Sequence, residues 1–189
     1  MKRILLSIIS LLLVVTMLSS CSGRKILRTK EITDVISSTN VVLYDFVSEN
    51  EEYENYLNVF EPSFRTPGLL EGIIPQGICY NFDKNWIIIS GYYEDSKFPS
   101  MLMILDAENG AFIKAVKLQN VDGSMYFGHA GGVASSGSYI FVTSDYSART
   151  IAIDTLEKAQ DGATVRFASD FKLNTKGSFA NVYSEILWV

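Results

Sequence analysis

"QGICYNFDKNWIIIS", residues 76–90, opens on small and polar residues, runs through a short strand pattern, turns on polar residues and closes on an apolar strand. The same order recurs in "GGVASSGSYIFVTS", residues 131–144, and in "SFANVYSEILWV", residues 178–189. Gly77 corresponds to Gly132, and Gly132 to Ser178. Asp106 at the end of "MILD" matches Asp154 at the end of "IAID". Repeats of about 50 residues that each hold four strands are the signature of β-propeller blades. A generic β-sandwich would have similar short strands without this period. The sequence therefore predicts an all-β fold, a partial β-propeller.

The intervening runs agree. "NWIIIS" (85–90), "SMLMILD" (100–106), "AFIKAVKL" (111–118), "SYIFVTS" (138–144) and "TIAID" (150–154) read as strands. Asn109-Gly110 between two of them is a hairpin signal, because both residues tolerate positive φ. "ATVRFASDFKL" follows the Asp161-Gly162 pair, and at most one short helix is expected beyond Phe60. Residues 75–189 would hold about two and a half four-stranded blades, fewer than the four to eight that normally close a ring. The apolar strand pattern is still running at Trp188-Val189. Such an edge is one that folded proteins avoid. The expectation is a propeller truncated at its C-terminus, with a ring of several copies as the weaker alternative.

The N-terminal part has a different character. Lys2 and Arg3 precede an apolar run over residues 4–17, too short to span a bilayer comfortably but suited to a secretory signal. "LSSC", residues 18–21, resembles the lipobox of bacterial lipoproteins, in which the cysteine is lipidated and the signal is cut just before it. The resemblance implies a signal peptide over 1–20, a palmitate-type acyl anchor on Cys21, and a lipid-anchored, extracytoplasmic protein at the cell membrane or outer membrane. Residues 21–39 read as a polar tether. Residues 40–74 lead into the domain with a strand at 40–46 and a short amphipathic helix at 49–60. In that helix Ser48 and Glu51 have capping-box spacing, and Tyr53, Tyr56, Leu57 and Phe60 form one stripe.

Composition narrows the function. The formal charge of −5 speaks against nucleic acid, which calls for a basic face. The 48% hydrophobic and 12% aromatic content suffices for a core. With Cys21 lipidated, Cys79 has no cysteine to pair with, and its apolar neighbours suit a small core residue better than a nucleophile.

"TPGLLEGIIPQGICY", "YFGHAGGVASSGSYIFVTS" and the final "ILWV" also resemble a group of secreted bacterial β-propeller proteins, and more distantly YVTN-type and gluconolactonase-like propellers. The resemblance covers residues 66–189, and its motifs describe blades more than chemistry.

"YFGHAGGV", residues 126–133, contains the chain's one histidine. Its place in the repeat equals that of "PQGI", the start of a channel-lining strand, where glycine lets neighbouring backbones approach. His129 and Gln76 would then sit near one mouth of the channel, with Tyr92, Asp145 and Tyr146 as further candidate ligand-binding residues and Asp122 as a nearby loop carboxylate. Histidine at neutral pH can also serve as base or ligand, so a catalytic role stays beside the channel-lining one. One histidine excludes "HExxH" zinc chemistry within this chain. No metal-ligand set is assigned, though aspartates, asparagines and carbonyls leave a divalent cation such as calcium open. The expected activity is binding of an unidentified small molecule or protein at the membrane surface. The alternative, implied by the gluconolactonase-like resemblance, is a metal-dependent lactonase or other hydrolase at the channel mouth.

Overall fold

A computed structural model describes residues 66–189. The expected signal peptide, Cys21, and the expected tether, strand at 40–46 and helix at 49–60 lie outside the described residues.

The alternation of side chains along each strand sorts the apolar residues onto two faces. The chain runs β1 (Ile73–Asn81), β2 (Trp86–Tyr93), β3 (Met101–Asp106), β4 (Phe112–Gln119), β5 (Gly132–Ser135), β6 (Tyr139–Ser144) and β7 (Ser147–Ala152). A short helix α1 (Ile153–Lys158) follows, then β8 (Thr164–Arg166), β9 (Ser169–Lys172), β10 (Asn181–Tyr183) and β11 (Ile186–Trp188). Strands β1 to β4 form an antiparallel meander in that order, and β8 adds in parallel to the outer edge of β4. Strands β5, β6, β7 and β9 form a second antiparallel sheet, and β10–β11 is a third hairpin.

The central strands β2 and β3 of sheet one are largely buried on both faces, which is why they read as continuous apolar runs instead of alternating ones. Ile88, Leu102, Ile104, Val116 and Leu118 face sheet two and join Val133, Ile140, Val142 and Ile151 in one core. Ile89, Met101, Met103, Leu105 and Ala115 lie on the opposite face in a second apolar layer.

The repeat read from the sequence is visible in space. The inner strands β1, β5 and β10 follow one another, and small residues mark each approach. A Cβ on Gly77 would stand 2.7 Å from the Val133 amide nitrogen. One on Gly132 would stand 2.6 and 2.7 Å from the Phe179 carbonyl carbon and the Ala180 nitrogen. Each approach is also tied by a buried hydroxyl on the second strand of the preceding hairpin. Ser90 Oγ donates to the Ala130 carbonyl at 2.7 Å, and Thr143 Oγ1 donates to the Phe179 carbonyl at 3.3 Å.

Three local readings change. The β3–β4 hairpin exists, but Asn109-Gly110 is not a two-residue turn. Asp106 Oδ1 accepts the Glu108 and Asn109 amides, and the Gly110 amide bonds back to the Asp106 carbonyl, so only Gly110 enters positive φ. The run after Asp161-Gly162 is two strands in different sheets. Phe167 N–H bonds to Gln119 of sheet one and Ala168 N–H to Thr150 of sheet two, so the chain changes sheets between adjacent residues. Likewise Ile153 and Asp154, expected to end a strand, begin α1.

That crossover fastens the two sheets together. Lys114, 6% exposed, donates from Nζ to the carbonyls of Leu156, Glu157 and Ala159 at 2.7, 2.9 and 2.9 Å. These are the carbonyls a helix C-terminus leaves without an intrahelical partner. Burial lowers the ammonium's pKa and Glu157 raises it. Asp161 Oδ1 accepts the Ala115 amide at 2.8 Å, holding the next turn of the crossover on sheet one.

Candidate functional site

The residues before β5 are shaped by hydroxyls below them. Ser100 Oγ donates to the Gly128 carbonyl, and Ser90 Oγ accepts the Gly77 amide at 3.0 Å while donating to the Ala130 carbonyl. Both carbonyls flanking His129 are therefore anchored. Ala130, fully buried, takes a φ of 52°. The imidazole is exposed, and its ring lies 4.5 Å from that of Tyr92 at an interplanar angle of 42°.

A cleft of about 200 Å³ opens where the three inner strands converge, lined by residues 76–78, 131–133 and 178–180. These are the three repeat openings. Gln76, Ile78 and Phe179 are its large exposed side chains, and no lining residue is ionisable. Among the described residues the Gln76 side-chain amide bonds to its neighbour's carbonyl, Pro75, at 3.0 Å, and it stays accessible.

Asp145 and Tyr146 form the two-residue turn between Ser144 and Ser147, with φ of 54° and 60°. Two consecutive positive φ values define the turn whose twist suits a β-hairpin. This turn lies at the same end of sheet two as the start of β5. The Tyr146 carbonyl accepts the Leu173 amide at 2.8 Å, tying the turn to the segment that leads into the third hairpin. Beneath it, burial pushes the Tyr126 phenol's pKa up; Arg149 opposes the rise and Asp145 adds to it. The Arg149 guanidinium sits 4.8 Å over the Tyr126 ring and pairs with Asp170 at 3.1 Å.

Of the residues expected to contribute, Gln76 lines the cleft and His129 lies tilted against Tyr92 just before its second wall. Asp145 and Tyr146 occupy the adjacent hairpin end. Asp122 stands apart, beyond the outer strand β4. Its carboxylate accepts the Ser124 amide and hydroxyl at 2.8 and 2.7 Å, bonds that hold its pKa below the usual range. Asp95 is similarly occupied in a local turn, accepting the Lys97 amide at 3.0 Å. Cys79 packs against the larger core, and burial pushes its thiol up to about 12. Among the described residues no three carboxylate, imidazole or thiol groups converge as a metal-holding set.

The hydroxyls of Ser90 and Thr143 and the exposed Phe179 escaped the sequence reading. The signal for the first two was present: each is a polar residue near the end of an apolar second strand, in "WIIIS" and "YIFVTS".

No family model matches the chain, and no curated protein matches it. Among solved structures it is similar to the β-propeller domain of Myceliophteria thermophila Cps50 (Swd1), at 9% identity and a TM-score of 0.34. The match covers 58% of this chain and 30% of that one, so the chain spans less than a third of the structure it resembles.

Proposed function

We propose that this protein is a lipid-anchored, extracytoplasmic binding module of β-propeller type, which takes an uncharged ligand group at the cleft between its inner strands. The observation that carries the reading is the composition of that cleft: three repeat openings meet around about 200 Å³ with no ionisable side chain in the lining. Ligand sites are commonly concave and largely apolar, with a few placed polar groups, here the Gln76 amide and the Ser178 hydroxyl beside the Phe179 ring. The His129 and Tyr92 rings, 4.5 Å apart next to the second opening, supply a further ring contact for a ligand. The membrane attachment rests on the lipobox pattern that ends at Cys21.

The test is a thermal-shift screen of the full chain against uncharged probes, namely neutral mono- and disaccharides and end-capped tripeptides. At least one should raise Tm. That shift should vanish in Gln76→Ala or Phe179→Ala and persist in Asp122→Ala, a change at the outer edge. A screen without a shift, or a shift indifferent to all three substitutions, overturns the assignment.

A further inference from the structure

We draw no further inference here: the strongest candidate, the open apolar groove on the face of sheet one lined by Ile78, Tyr80, Ile87 and Ala107 beside the exposed Phe82, carries nothing because nothing in the structure shows what covers it.

Discussion

Gly132 illustrates how a single missing side chain sets the spacing of whole elements. Any Cβ there would meet backbone atoms of residues 179 and 180, which cannot rotate away as a side chain could. Gly132→Ala should therefore cost about 1–3 kcal/mol, the usual range for overpacking a tight contact. It should also loosen the third hairpin. Denaturant titration checks the first effect and limited proteolysis at the Ser184-Glu185 turn the second. Gly137→Ala is the control, because its Cβ would meet only a flexible Asp83 carboxylate oxygen at 3.3 Å; equal losses would refute the spacing argument. Cys79 makes a different prediction. Its folded pKa is about 12 against an ordinary 9.0, because burial disfavours the thiolate. Above pH 9 the unfolded chain releases this proton while the folded chain keeps it. The thiol's stabilising effect is thus complete below pH 9 and is lost as pH rises toward 12, by about 1.4 kcal/mol per pH unit at most. Unfolding free energies between pH 8 and 10.5 should fall more steeply for the parent than for Cys79→Ala. Parallel slopes would mean that water reaches the sulfur.

At the scale of elements, the crossover through α1 and β8 does work that neither sheet's strands do alone. A six-residue helix is too short to persist by its own hydrogen bonds. Here Lys114 satisfies its terminal carbonyls and Leu156 is buried in the shared core. Lys114→Met keeps much of the apolar stem but removes the donor, leaving three carbonyls short of a partner. The expected loss is about 2 kcal/mol, with faster amide exchange in α1 and β8. Lys84→Ala removes an ion pair to Glu157 whose side chains are 28% and 47% exposed, and should cost clearly less than Lys114→Met, because solvent screens an exposed pair. Urea titrations of the two variants decide the matter: if Lys84 matters as much as Lys114, the helix is held by surface charge and not by its capped end. This crossover was also the least legible part in the sequence. "ATVRFASDFKL" has one uninterrupted strand-like pattern, and only the rival hydrogen-bond partners of Phe167 and Ala168 reveal that it serves two sheets.

For the whole molecule, the period was the most readable feature because it has a spatial cause. Each repeat must place a small residue where the next inner strand approaches, and each second strand must be apolar enough to bury. Gly77, Gly132 and the runs "WIIIS" and "YIFVTS" record both demands. The cleft was legible only in part, since Gln76 and His129 could be located from the repeat, whereas the role of Phe179 depends on how the third hairpin is turned. The proposed attachment to the membrane rests on a separate sequence pattern: a basic start, a short apolar run and a small-residue approach to Cys21. Each methylene of an acyl chain buried in the bilayer contributes about 0.8 kcal/mol, so more than one chain is needed for firm retention. The protein expressed in a bacterium with lipoprotein processing should then sediment with membranes and withstand washing at high salt, because apolar burial is not screened. Cys21→Ser should move it to the soluble extracytoplasmic fraction with its thermal unfolding unchanged, and the acyl mass should disappear from the intact protein. If Cys21→Ser remains with the membranes at high salt, retention comes from the polypeptide itself and the lipid anchor is wrong.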